Sequence, residues 1–207
     1  TPKPSSAASD VYKRQIDLGG NITSIGVFIN NKIIFSDSIP IGGIHITSDI
    51  VRGLGTKAED AEKIKILYGS AISNETDEYT KIDVPIISDE GEIINQKIPK
   101  AMLTAIIKPR IDEIFELVKE RLSFLKFRNS AINKVVLCGG GANLNNIREH
   151  ASSFLNINVR IGRPIGLIDI PEIVNTPTFS CLTGLLIKSV QHEKLFSNNV
   201  NLGLSHY

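Results

Sequence analysis

Apolar and polar residues alternate along the first part of the chain. The alternation runs through Ile22–Asn30 and Lys32–Ile39, and a short apolar segment, Gln15–Leu18, precedes them. This is the period of a strand that is buried on one face. The corner at Asn30-Asn31 suits a two-residue hairpin, because asparagine tolerates the positive φ that such turns need. We therefore predict three antiparallel strands.

Helical spacing follows the third strand. Apolar residues recur at four-residue steps across 44–54, which predicts a helix. Thr56 and Glu59 have the spacing of a capping box, in which the two side chains satisfy free amides at a helix start. A second helix is therefore predicted there, and its apolar face consists of Ala61, Ile64, Leu67 and Tyr68.

A hairpin and a long helix are predicted next. Strands are expected at 81–88 and 92–98, joined by the turn-forming residues Asp89-Glu90-Gly91. A sustained apolar stripe predicts a helix over 100–127. Pro109 removes one backbone hydrogen bond inside it and should bend it.

The last third predicts two shorter helices, and both ends predict irregular tails. Helices are expected at 145–155 and 179–190, the latter as a core helix, with a short strand at 158–161 between them. Residues 1–14 have no periodicity, so we expect a disordered extension that is not native to the fold. The asparagine-rich stretch 191–207 is expected to fray.

Composition narrows the function classes. The 207 residues suffice for one large or two small domains. A net charge of +1 provides no general field for nucleic acid, so nucleic-acid binding is not expected. Without a signal peptide or an apolar run of about 18 residues, we expect a cytoplasmic protein. Cys138 and Cys181 lie in apolar surroundings, so we expect buried thiols and neither a disulfide nor a metal site.

Three consecutive glycines follow a buried strand in the second half. Val135, Val136 and Leu137 precede Gly139–Gly141, and helical spacing begins at Leu144. Glycine lets a ligand approach the backbone, and free amides at a helix start attract phosphate or ribose oxygens. The run matches neither the dinucleotide fingerprint nor the P-loop, so by itself it predicts a structural turn equally well.

A second glycine turn lies near the start of the fold. The stretch Ile16–Thr23 reads as a strand, the turn Gly19-Gly20-Asn21 and another strand, with Asp17 at the lip of the hairpin. A carboxylate beside a glycine hairpin, together with a separate strand–glycine–helix turn, resembles the arrangement of the actin-like ATPases.

Segments between the two turns, and one segment after them, resemble the FtsA family of bacterial cell-division proteins, from about Gln15 to about Ser189. The resemblance lies in Ile39-Pro40-Ile41-Gly42-Gly43, Thr47-Ser48-Asp49-Ile50, Gly55-Thr56, Ala61-Glu62-Lys63-Ile64-Lys65, Tyr68-Gly69, Ile107-Lys108-Pro109-Arg110 and Val159–Pro164.

The resemblance implies an α/β fold, the second half of an actin-like ATPase. Segments 15–55 and 130–190 would form its ribonuclease H-like, nucleotide-binding subdomain, and 56–129 a smaller inserted α+β subdomain that docks a partner. The first phosphate loop would lie in the half that precedes Gln15. At most weak ATPase activity is expected, and none from this half alone.

The cofactors implied are ATP and Mg²⁺, with Asp17 holding the metal through water. From the residues alone, Glu62 and Lys65 predict only a surface ion pair. The implied nucleotide contacts are Gly19, Gly20 and Asn21 for the phosphates, Gly139, Gly140, Gly141 and Asn143 for the α-phosphate and ribose, and Glu62 and Lys65 for the adenosine.

Two positions depart from the family pattern. Asn21 and Ile22 stand where relatives usually carry a glycine and a threonine. If residue 21 must adopt positive φ, asparagine costs about 1–2 kcal/mol, or roughly tenfold in affinity. We expect weakened ATP binding and inefficient hydrolysis.

The implied partner is the acidic tail of the division protein FtsZ. Lys100 and Arg110 are the residues expected to dock it, although a solvated basic face would look the same. The implied function is an adaptor that links FtsZ filaments to the inner membrane at the division site. In the family the whole protein self-associates into actin-like filaments and attaches to membrane through a terminal amphipathic helix, which 191–207 does not resemble.

Two other functions are also consistent with the sequence. Another ATPase of the same superfold, such as a sugar kinase, would need a catalytic base and a sugar pocket, neither of which the sequence locates. A module with degenerate glycine turns and no ligand is also consistent with Asn21 and Ile22.

Overall fold

The structure is a computed structural model. It describes residues 12–30, 32–88, 90–123, 134–164 and 171–190. The predictions for 1–11, for the end of the long helix beyond residue 123 and for the tail 191–207 lie outside the described residues.

Seven strands and five α-helices, with short 3₁₀ turns between them, make up the described fold. The strands are β1 (Tyr12–Leu18), β2 (Thr23–Ile29), β3 (Lys32–Ile39), β4 (Lys81–Ile87), β5 (Ile93–Pro99), β6 (Lys134–Cys138) and β7 (Asn158–Ile161). The helices are α1 (Gly43–Leu54), α2 (Ala58–Tyr68), α3 (Lys100–Ser123), α4 (Ile147–Leu155) and α5 (residues 180–190).

Five strands form one mixed sheet in the order β3-β2-β1-β6-β7. The first three are antiparallel, as predicted, and β6 and β7 extend the sheet in parallel with β1. β1 starts earlier than expected, because Arg14 pairs with Val27 on one side and Val135 on the other. The ladder with β2 pairs the backbone of all three residues, Tyr12 to Arg14, and Arg14 also pairs with β6. The assignment of Tyr12–Arg14 to a disordered extension is therefore wrong.

The parallel pairing of β1 with β6 positions the two glycine turns. Asp17 lies opposite Cys138 in that ladder. Because the two strands run in the same direction, the turns that follow them leave the sheet at the same edge. The carboxyl edge of parallel strands is where open α/β sheets bind ligands.

The predicted hairpin and long helix are confirmed within the described residues. β4 and β5 pair in antiparallel fashion, with Ile82 opposite Ile98, and α3 runs without interruption through Pro109. Its fully buried Phe115 belongs to the same apolar core as Ile16 of the main sheet. The subdomain boundaries after residues 55 and 129 stay a prediction.

The capping box predicted at Thr56 is wrong. α2 begins two residues later, at Ala58, and its N-cap residue Lys57 makes no side-chain cap bond. The buried Thr56 hydroxyl instead donates to the carbonyl of Pro85 in β4. The hydroxyl thus joins α2 to the hairpin, a contact that local spacing does not reveal.

α5 forms as predicted, but its apolar stripe is not in the core. Leu185 is 64% exposed, and Leu182, Leu186 and Val190 are about half exposed. Cys181 is also exposed, so the expectation of two buried thiols holds only for Cys138. Nothing in the described part of the chain covers this face of the helix.

Candidate functional site

A cleft of about 720 Å³ opens between the two glycine turns. Volumes of this size are typical of small-molecule sites. Eight of the ten predicted nucleotide contacts line it, and Asp17 and Gly139 do not. The lining consists of Gly19, Gly20, Asn21, Gly43, Ile44, Ile46, Glu62, Lys65, Ile66, Gly140, Gly141, Asn143, Leu144, Thr176, Thr178 and Phe179.

The first wall is the hairpin at residues 19–21. The Gly19 amide donates to the Ile22 carbonyl over 3.0 Å and closes the turn. A Cβ at Gly19 would lie 2.6 Å from that carbonyl oxygen, whereas one at Gly20 would meet open space. Asn21 is not among the non-glycine residues with positive φ, so the backbone cost predicted for that case does not arise.

The start of α1 supports the hairpin from behind. The amides of Gly43 and Ile44 donate to the carbonyls of Gly19 and Gly20, each over 2.9 Å. A Cβ at Gly42 would lie only 2.5 Å from the Gly20 oxygen, so glycine is required for this contact. Two of the first amides of α1 therefore hold the hairpin and are not available to an anion.

α2 places a polar cluster on the second side of the cleft. Lys65 Nζ lies 2.6 Å from Glu62 Oε2, which confirms the ion pair predicted from their spacing. The Thr47 hydroxyl of α1 donates to the same oxygen over 2.5 Å. Partial burial raises the pKa of Glu62, but these hydrogen bonds outweigh it, so its pKa lies below the usual value. The carboxylate is ionised at neutral pH.

The third wall is the turn after β6. Gly139 has φ +84° and ψ 173°, a conformation that is essentially limited to glycine. Its amide donates to the Pro177 carbonyl over 3.0 Å. Residues 140–143 then form a short 3₁₀ turn, and α4 begins only at Ile147, later than the sequence predicts. A Cβ at Gly140 would meet open space.

Asp17 lies beside this turn, at the end of β1. A Cβ on Gly139 would lie 2.2 Å from Asp17 Oδ1, so the carboxylate is packed against the glycine backbone. Burial raises the pKa of Asp17, and a hydrogen bond with the Cys138 side chain partly opposes this. Burial also raises the pKa of the Cys138 thiol to about 12, so the thiol stays protonated.

The Asn143 side chain binds a segment, residues 176–179, that the sequence did not predict as part of the site. Its side-chain amide donates to the Gly140 carbonyl over 3.2 Å and to the Thr178 hydroxyl over 2.9 Å. These bonds hold Thr176, Thr178 and Phe179 against the cleft. In the sequence, Thr176 followed by Pro177 is typical of the start of a helical turn. This pair of residues was the signal from which the turn could have been predicted.

The two predicted docking residues are both engaged within the chain. Arg110 binds both carboxylate oxygens of Asp49, at 2.7 and 3.1 Å, and also contacts Glu113. Lys100 Nζ lies 3.2 Å from Oδ1 of Asp77, whose side chain is only 4% exposed. Ten residues of helix separate the two cations by about 15 Å along α3. They are therefore two separate ion pairs and not one basic patch.

A family model described as cell division protein FtsA matches residues 15–184. The chain belongs to the FtsA family. Relatives from Rhizobium meliloti and Agrobacterium fabrum, both named cell division protein FtsA, are 39% and 40% identical to it over 172 residues. The match covers 83% of this chain and 39% of each relative. The chain thus spans about two-fifths of the length of these FtsA proteins.

The fold is also that of actin-like ATPases. MreB5 of Spiroplasma citri, solved with bound ADP, superposes with a TM-score of 0.70 at 21% identity, covering 91% of this chain and 56% of MreB5. The predicted actin-like α/β fold is therefore confirmed. Within the described part of the chain, no helix combines the length and hydrophobicity required to cross a membrane.

Proposed function

We propose that this chain forms one side of an ATP site in an FtsA adaptor that links FtsZ filaments to the inner membrane. The observation that carries the proposal is the cleft itself, in which both glycine turns and the Glu62–Lys65 pair face one space. Bare backbone on two walls suits phosphate and ribose oxygens, and Ile44 and Ile66 provide apolar surface for a base.

The assignment of subsites follows the sequence prediction. Gly19, Gly20 and Asn21 would face the phosphates, and Gly140, Gly141 and Asn143 the α-phosphate and ribose. Gly139 shapes the turn from outside the lining, and Glu62 offers its carboxylate to the adenosine side. The superposition on an actin-like protein that was solved with ADP supports a nucleotide as ligand.

The chemistry of Asp17 fits a magnesium ion held through water. Carboxylate oxygens are preferred magnesium ligands, and Mg²⁺ usually keeps several of its waters. Asp17 is half-buried beside the Gly139 turn and outside the lining of the cleft, so the proposed contact with the ion runs through water and is not direct. The ion would neutralise phosphate charge next to this carboxylate.

Replacing Gly140 with valine should block the ligand without disturbing the fold. The new side chain meets open space at the cleft wall, so the melting temperature should stay unchanged while the Kd for a fluorescent ATP analogue with Mg²⁺ rises at least tenfold. Gly184→Val in α5 is the matched control, since a Cβ there also meets open space and Gly184 does not line the cleft.

Equal affinities of the Gly140→Val and Gly184→Val variants would exclude this cleft as the nucleotide site. If the unaltered chain shows no saturable binding of the analogue, the alternative of a module without a ligand is favoured instead.

For the partner, we propose that the acidic FtsZ tail docks on the first half of α3. Lys108 in this half of α3 and Lys97 at the end of β5 are exposed, and the Arg110 side chain is 23% exposed. Because Asp49 and Glu113 already occupy the Arg110 guanidinium, docking through Arg110 requires an exchange of carboxylates. The intramolecular partners would then compete with the tail.

Removal of one competitor tests this docking directly. Glu113→Gln should tighten binding of a fluorescent FtsZ-tail peptide about threefold, and Arg110→Glu should weaken it at least tenfold, by fluorescence anisotropy. Lys188→Glu on α5 makes the same charge change at an exposed lysine. It should change the binding affinity only slightly, because salt screens charges that lie far from the docking site. Docking at Arg110 is wrong if Arg110→Glu and Lys188→Glu weaken binding equally.

The remaining parts of the proposed function concern the whole protein. We propose that it acts at the cytoplasmic face of the inner membrane at the division site, attached through a terminal amphipathic anchor, and that it self-associates into actin-like filaments. Membership of the FtsA family and the actin-like fold support both statements.

A further inference from the structure

The ammonium group of Lys65 makes three hydrogen bonds within the protein. It donates to the Gly43 carbonyl at 3.0 Å, to the Thr47 hydroxyl at 2.9 Å and to Glu62 Oε2 at 2.6 Å. A lysine ammonium carries three N–H donors, so all of them are used. The side chain is only 13% exposed, although Lys65 belongs to the lining of the cleft.

We infer that Lys65 is a positioning residue, which holds the 19–21 hairpin in place through α1, and that it does not bind the adenosine. This inference rests on the proposed nucleotide site and reassigns one of its residues.

The contacts form a continuous path from Lys65 to the hairpin. Lys65 binds the Gly43 carbonyl, and the Gly43 and Ile44 amides in turn bind the carbonyls of Gly19 and Gly20. A Cβ at Gly43 would lie 3.5 Å from Lys65 Nζ and 3.7 Å from the Gly19 oxygen. The Lys65 ammonium and the Gly19 carbonyl are therefore both packed close to the backbone of Gly43. A shift of the Lys65 ammonium would therefore move the support of the hairpin.

The electrostatics of this position also favour a structural role. The N-terminal end of a helix carries partial positive charge, so a cation beside the start of α1 is unfavourable by itself. The Glu62 carboxylate offsets that cost, because it accepts hydrogen bonds from both Lys65 and Thr47. Glu62 is 46% exposed and can still face a ligand, whereas the Lys65 donors are occupied.

The two roles of Lys65 predict different losses for two ligands. A positioning role acts on the phosphate hairpin, so Lys65→Met should weaken Mg·ATP and inorganic Mg·tripolyphosphate by the same factor, at least tenfold. A direct adenosine contact would weaken Mg·ATP alone, and that result would overturn the inference. Lys65→Arg keeps the charge and several donors and should recover part of the affinity for both ligands.

A second measurement needs no ligand. Hydrogen exchange of the Gly43 and Ile44 amides reports their bonds to the hairpin, and we expect at least tenfold faster exchange in Lys65→Met. Lys63→Met is the matched control on the same helix, since Lys63 is 68% exposed and, in the described contacts, pairs only with Asp60. Unchanged exchange in Lys65→Met would overturn the inference.

The two measurements separate the inference from the proposed function. If exchange accelerates but the unaltered chain binds neither ligand, Lys65 holds the hairpin as inferred and the nucleotide proposal is wrong. A thermal melt of each variant shows whether a loss is local or reflects unfolding of the whole chain.

Discussion

Alanine in place of Gly139 should lower the free energy of unfolding by about 2–6 kcal/mol. The backbone at this residue, with φ +84° and ψ 173°, costs a non-glycine residue about 1–3 kcal/mol. The added Cβ would also lie 2.2 Å from Asp17 Oδ1 and 2.6 Å from the Leu18 carbonyl oxygen, so β1 must move away from β6. Overpacking of this kind adds about 1–3 kcal/mol.

Urea denaturation of Gly139→Ala beside Gly140→Ala measures this difference. The neighbouring Gly140 has no positive φ and a Cβ there meets nothing, so its variant should stay within about 0.5 kcal/mol of the unaltered chain. Coincident transitions for the two variants would show that the close approach of Gly139 to Asp17 is wrong.

Replacing Lys100 with alanine should cost about 2–4 kcal/mol of stability, somewhat less than the loss for a fully buried ion pair. Asp77 is 3% exposed, and loss of its cation would leave a buried charge without its ion-pair partner, which is among the more damaging changes in a fold. The 22% exposure of the Lys100 side chain lets water replace part of the interaction, so the loss is smaller than for a fully buried pair. Adding Asp77→Asn should recover much of the loss, because no unpaired charge then remains.

The same pair predicts an acid-sensitive contribution to stability. A backbone hydrogen bond from Asn74, aided by Lys100, lowers the pKa of Asp77 despite its burial. A carboxyl group with a lowered folded pKa stabilises the fold above its unfolded pKa of about 3.9, and this stability is lost as pH falls through the folded value. Asp77→Asn should therefore flatten the fall in stability below about pH 4, measured by thermal melts, and an unchanged profile would argue against this role.

The Lys100 pair also affects how partner-binding experiments are interpreted. If a Lys100 variant no longer binds the FtsZ tail, destabilisation of the fold by the loss of its ion pair with Asp77 is sufficient to explain the result. Arg110 differs, because its side chain bridges α1 and α3 at a partly exposed surface where a peptide can compete. Arg110 is therefore the better residue for a test of docking.

Much of the fold was predictable because its signals are local. Alternation located β2 and β3, and helical spacing located α1 and α3. The glycine turns were equally visible, since runs of glycine mark places where side chains do not fit. That both turns meet at one edge required the parallel pairing of β1 with β6, which the sequence indicated only through the family resemblance.

The errors concern contacts between residues far apart in the chain. Thr56 fits a capping box, but the Pro85 carbonyl 29 positions away takes its hydroxyl. In the sequence, Arg110 and Lys100 have the pattern of unpaired cations, whereas in the fold they form ion pairs with Asp49 and Asp77. The contribution of Thr178 and Phe179 to the cleft depends on the bond from Gly139 to Pro177, which no local pattern encodes.

The bonds between α1 and the hairpin also determine when the loop loses its conformational freedom. Ordering the backbone of one residue costs about 1–2 kcal/mol at 25 °C, so ordering two loop residues costs about 2–4 kcal/mol. Because Gly43 and Ile44 already hold Gly19 and Gly20, this entropic cost is met when the chain folds. An anion bound at the proposed phosphate site would meet a hairpin that is already held at Gly19 and Gly20. Its association rate would then depend on diffusion and charge and not on the ordering of these two residues.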